Sequence, residues 1–111
     1  MARRVVWSAA ANADLDEIEA YIGSRSPSGA RRVIEKLREA AGGLCDFPYA
    51  ARTVPELHDS ERREIFVQEY RLMYRIEADR IRILRVVHGR RLLSNVPGNF
   101  EEPAQEGYKA A

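Results

Sequence analysis

Apolar residues recur at three- and four-residue steps in the first half of the chain and at two-residue steps in the second. This change of period separates a helical part from a stranded one. Arg3 to Trp7 alternates and holds Val5, Val6 and Trp7, which predicts a short strand, and Ser8 can cap the helix that follows. From Ala9 to Gly23 the apolar positions Ala11, Leu15, Ile18 and Ile22 form one stripe, with acids expected in the opening turns, where the helix dipole favours them. Ser26-Pro27 repeats the start signal, and Ala30, Val33, Ile34, Leu37, Ala41 and Leu44 make a second stripe. A link of about four residues makes the two helices antiparallel neighbours, and their joint apolar surface needs a sheet to cover it.

The segment Cys45 to Glu61, with Pro48 and Pro55, reads as an ordered loop pinned to the core by Phe47, Tyr49, Val54 and Leu57. Strands are predicted at Arg63 to Val67, Tyr70 to Glu77 and Arg80 to Val87, an antiparallel meander. In the middle strand Tyr70, Leu72, Tyr74 and Ile76 share the face under the helices, while Arg71, Met73, Arg75 and Glu77 share the other. In the last strand alternation sets Ile81 and Ile83 against Leu84 and Val86. A strand apolar on both sides implies a partial cover for the second face, supplied by a partner segment or by the chain's own tail. The fold class is therefore α+β: an N-terminal strand and an antiparallel two-helix hairpin packed on a curved antiparallel sheet, completed by the three-stranded C-terminal meander. Residues 1–93 form the domain, and residues 94–111, rich in Pro, Gly and Glu, form a loosely ordered tail.

Composition narrows the function classes. A chain of 111 residues fits one domain, and no apolar run approaches the roughly 18 residues of a membrane span. No apolar h-region follows Arg3 and Arg4, and Cys45 is the single cysteine, read as a small buried hydrophobe in a reducing compartment; the expected location is the cytoplasm. The net charge of +1 hides an asymmetry: from Arg62 to Arg91 nine arginines face four acids, whereas Val5 to Ser24 carries only Asp14, Asp16, Glu17 and Glu19. Neither a Gly-rich phosphate loop, a nucleophile elbow nor a ligand-spaced His/Cys set occurs, and His58 among loop carboxylates lacks any recognised metal spacing. No metal, no cofactor and no metabolic enzyme is expected.

Several separated motifs stand in order: Asp14-Leu15-Asp16-Glu17-Ile18-Glu19-Ala20-Tyr21-Ile22, Ser26-Pro27 with Ala30, Pro48, Arg52, Val54-Pro55-Glu56-Leu57, Arg63-Glu64, Tyr70-Arg71-Leu72-Met73-Tyr74-Arg75-Ile76 and Ile83-Leu84-Arg85-Val86-Val87-His88-Gly89-Arg90-Arg91. Together they resemble the ParE branch of the ParE/RelE toxin superfamily, the plasmid-stabilisation toxins of type II toxin–antitoxin systems, over about residues 3 to 93. The resemblance implies a RelE-like fold, a cognate antitoxin whose C-terminal segment lies along the toxin in a hetero-oligomer, and DNA gyrase as the target. In the RelE branch the target is instead messenger RNA in the ribosome.

Those nucleases are known for lysine, arginine and tyrosine in acid–base and charge-stabilising roles. Arg71, Arg90 and Arg91 fall where RelE-type toxins keep phosphate-handling arginines. The only lysines, however, are Lys36 and Lys109, and Leu92 to Val96 contains no tyrosine. Arginine stays protonated and is a poor base, which leaves His88, the histidine at the end of the last strand, as the candidate for proton transfer. The reading is a gyrase-poisoning toxin without catalysis of its own, neutralised by an antitoxin, with Arg71, Arg75, Arg82, Leu84, Arg85, Val86, Arg90 and Arg91 binding the antitoxin or the target. Tyr70, Tyr74 and Trp7 are expected in the core. The alternatives are a ribosome-dependent messenger RNA endonuclease using Arg71, His88, Arg90 and Arg91, and a non-toxic subunit of an antitoxin repressor complex.

Overall fold

In the computed structural model, which describes residues 3–91 and 108–110, the order of elements is β1 (Arg4–Ser8), α1 (Ala9–Gly23), α2 (Pro27–Gly43), a 3-10 turn (Pro48–Ala50), β2 (Arg52–Thr53), β3 (Arg62–Val67), β4 (Tyr70–Ile76), β5 (Arg80–His88) and β6 (Tyr108–Ala110). Ser8 ends β1 and starts α1, its hydroxyl accepting from the Ala11 N–H at 3.0 Å; Ser26 does the same for α2 through Gly29. The first turn of α1 carries no acid, because the helix begins at Ala9 and Asp14 falls one turn later than the dipole argument expected.

The strands form one sheet in the order β2-β3-β4-β5-β1-β6. Pairing is antiparallel throughout the meander, and β1 lies parallel to β5 with Val5 beside Ile81 and Trp7 beside Ile83, so the sheet is mixed. The helical hairpin leaves β1 and packs on one face. Leu15, Ile18, Leu37 and Ala41 meet Trp7, Leu72, Tyr74, Ile76, Ile81, Ile83 and Val86 in the main core. Trp7 and Tyr74 are buried as expected, and Tyr70 packs at the margin.

One expectation about faces is corrected, and another gains a contributor from the loop. Tyr74 pairs with Ile83 and Met73 with Arg85, so a bulge at Leu84 interrupts the alternation and returns Val86 to the helix side with Ile81 and Ile83. Among the described residues, part of the second face is covered by the loop after β2: Val54 and Leu57 pack on Met73 and Val87. Of the four residues expected to pin the loop, Val54 and Leu57 do so, whereas Phe47 and Tyr49 are 74% and 49% exposed. Cys45 is half-buried rather than buried, and burial raises its thiol pKa. The tail expected at 94–111 lies outside the described residues except for Tyr108–Ala110, which form β6 on β1.

Candidate functional site

β5 is longer than its neighbour β1. Their register ends at Trp7 and Ile83, where the chain turns into α1, so the last part of β5 runs on beside the helix instead of beside a strand. Side chains from the start of α1 take over the hydrogen bonds a strand would make: the Ser8 hydroxyl donates to the Leu84 carbonyl at 3.0 Å, and the Asp14 carboxylate accepts the Val86 N–H at 2.8 Å. Asp14 also holds Arg85 in a two-pronged pair, at 2.8 Å to Nε and 2.9 Å to Nη2, with both groups buried.

Above this floor lies a groove of about 1210 Å³. Ala10, Ala13, Glu17 and Tyr21 of α1 form one wall; Tyr70, Val86, Val87 and His88 form the other, with Arg25 and Arg91 at the lining. The two alanines leave the space, and apolar walls with few charged groups suit another chain's side chains. Arg25 stacks over the Tyr21 ring at 4.8 Å, leaving that ring 61% exposed beside the groove. Burial raises the Tyr70 hydroxyl pKa.

The arginines expected on one solvated face have separate surroundings. Arg71, Arg82 and Arg85 are buried. Arg71 donates through Nε to Glu64 at 2.7 Å and through both terminal nitrogens to Glu56 at 3.2 and 2.9 Å. Burial opposes its charge, but the two carboxylates outweigh burial and raise its pKa; Arg71 in turn lowers that of Glu56. Arg52 shares Glu64, which is itself fully enclosed. Arg82 pairs with Glu77 at 2.9 Å, Arg75 is half-buried, and Arg90 and Arg91 are exposed just beyond β5. Of the residues expected to bind a partner, Arg85, Val86 and Arg91 line the groove; Leu84 is buried and, with Arg71, Arg75, Arg82 and Arg90, does not.

His88 and Arg71 lie on different faces of the sheet. The His88 ring meets Tyr70 edge-on at 5.5 Å, in the groove wall, while Arg71, one residue further along β4, points to the opposite face among Glu64 and Glu56. His88 is held by local bonds, Nε2 at 3.1 Å from Glu69 and Nδ1 accepting the Arg90 N–H at 3.1 Å. Among the described residues there is no His/Cys/Asp/Glu group arranged for a metal ion, and no helix is long and apolar enough to cross a membrane.

The sequence matches, over residues 5–93, the family described as ParE toxin of type II toxin-antitoxin system, parDE. The chain belongs to that family. It is similar to Toxin RelE2 of Caulobacter vibrioides, with 34% identity over 89 residues, covering 80% of this chain and 98% of the relative. Its fold is similar to a chain of the solved structure described as the chromosomal ParDE TA system from P. aeruginosa, with a TM-score of 0.66 and 20% identity, covering 78% of this chain and 95% of that one. The RelE-like α+β fold and the toxin class expected from sequence both stand.

Sequence reasoning overlooked the α1 wall of the groove. The signal was present: Ala10, Asp14, Glu17 and Tyr21 recur at helical steps beside the core stripe, and they end in an aromatic residue with no core position to fill.

Proposed function

We propose that this toxin acts in the cytoplasm as a binding protein, poisoning DNA gyrase without chemistry of its own, and that its antitoxin is seated in the groove between α1 and the end of β5. The observation that carries this reading is the separation of His88 from Arg71. Cleavage of RNA needs a proton-transfer group and phosphate-binding cations on one substrate. Here His88 and Arg71 face opposite sides of the sheet, and the donors of Arg71 already serve Glu56 and Glu64, which leaves Arg91 as the one arginine of the nuclease set lining the groove with His88. An anion at Arg71 would have to displace a carboxylate that is already well paired.

The groove favours an antitoxin segment with apolar anchors against Val86 and Tyr70 and with acidic residues toward Arg25 and Arg91. Reversing Arg25 to Glu together with Tyr21→Ala should weaken antitoxin binding by about tenfold or more in calorimetry; unchanged affinity would remove the groove from the account. For the target, the toxin is incubated with gyrase, plasmid and ATP, then treated with detergent and protease. Linear DNA that disappears when antitoxin is added supports the reading, and normally supercoiled, intact plasmid contradicts it.

A further inference from the structure

The two edges of the sheet end differently. At one edge β2 is two residues long, Arg52–Thr53, followed closely by Pro55, and a strand that short offers little to pair with. At the other edge β1 reads Arg-Val-Val-Trp-Ser, a β-favouring run with one charge, whose Val6 and Trp7 side chains are committed to the interior. Arg4 donates its N–H to the Asp79 backbone carbonyl on the β5 side, at 3.3 Å. Backbone groups alternate along a strand, so those of Val5 and Trp7 face outward. A bare β1 would therefore offer an apolar, unprotected edge for strand addition.

That edge is occupied by β6, antiparallel to β1, with Val6 opposite Ala110, Trp7 opposite Lys109 and Ser8 opposite Tyr108. The occupant comes from outside the family region. The family match ends at residue 93, and the RelE2 relative is spanned to 98% by the 89 aligned residues, which leaves it almost no length for such an extension.

We propose that Tyr108–Ala110 is a self-donated edge strand that keeps β1 from pairing with β1 of a second copy of this chain. The orientation supports that occupant. Two copies related by a two-fold axis would bring their β1 strands together antiparallel, which is the direction β6 already runs. The extension thus fills the place of a symmetric partner and holds the toxin monomeric.

Lys109→Pro in the 111-residue chain tests this, because Lys109 stands opposite Trp7, whose backbone groups face outward, and proline removes the N–H of residue 109. Lys109→Ala keeps the N–H and serves as the control. The unmodified chain and Lys109→Ala should sediment as monomers, and Lys109→Pro should shift to dimers as concentration rises. In dilute Lys109→Pro the Trp7 amide should exchange with deuterium about tenfold faster or more and regain protection on concentration, while the Ile83 amide stays slow, showing the fold intact. A dimeric unmodified chain, a monomeric Lys109→Pro at all concentrations, or unchanged Trp7 exchange would each overturn the proposal.

Discussion

The two faces of one sheet are held by different physics. The face under the helices is closed mainly by interlocking apolar side chains, with Leu37, Leu72, Ile81 and Ile83 fully buried and the buried Asp14–Arg85 pair joining α1 to the end of β5. The other face has a small apolar cluster of Val54, Met73 and Val87, flanked by an ion-pair network in which enclosed Glu64 and exposed Glu56 hold buried Arg71, and exposed Arg52 shares Glu64. Apolar packing is non-directional and tolerates a range of pH. A buried ion pair gains little over an apolar pair of the same shape, but it becomes costly when one partner is lost. The first face therefore sets stability and shapes the groove, and the second commits its arginines internally.

The largest expected effect is in the helix-covered core. Leu37→Ala should cost about 4 kcal/mol in denaturant unfolding, because the site is fully enclosed between helix and sheet. On the other face Glu64→Ala should cost about 3 kcal/mol, since it removes the enclosed partner of Arg71, whereas the double replacement Glu64→Leu with Arg71→Met should come out close to the unmodified protein. If the single and double replacements cost the same, the network is not an ion-pair device, and the contrast between the faces fails.

Titration should separate the faces at opposite ends of the pH scale. Hydrogen bonding to Arg71 lowers the Glu56 pKa, and the Glu61 N–H lowers that of Asp59, so their contributions are present above the ordinary carboxylate range and are lost as pH falls through it and below. Burial pushes the Tyr74 hydroxyl, which donates to the Pro48 carbonyl at 2.6 Å, up to about 12. A raised acid works in the other direction: its contribution is intact below pH 10, the ordinary tyrosine value, and is lost as pH rises from there to about 12. Methyl NMR should therefore show Met73 moving first in acid while Ile83 holds, and tyrosine absorbance should show Tyr74 ionising last in base. Simultaneous movement of Met73 and Ile83 in acid would mean that the two faces unfold as one. The smallest effect belongs to the loop: Phe47→Ser, at a residue 74% exposed, should change stability by no more than about 0.5 kcal/mol.

Elements and their order could be read from the sequence because period and caps are local signals. Ser8 and Ser26 cap as expected, and the helical stripes and the meander fall where their spacing placed them. Non-local choices could not be read in the same way. Nothing near Leu84 marks the bulge that moves Val86 to the helix side, and nothing in the loop says that Val54 covers Met73 rather than the main core. The candidate site was legible in part. Val86, Arg85 and Arg91 were expected, but a run of arginines does not disclose that Asp14 and Glu64, distant in sequence, hold Arg85 and Arg71 from within.

If this toxin acts by binding, Arg71 holds the fold and takes no part in toxicity. The most direct measurement is growth of cells expressing the Glu64→Leu/Arg71→Met chain without antitoxin, alongside circular dichroism and thermal unfolding of the purified variant. The expected result is a folded variant that still arrests growth; a folded variant that leaves growth normal would place Arg71 in the toxic action itself and overturn the binding reading.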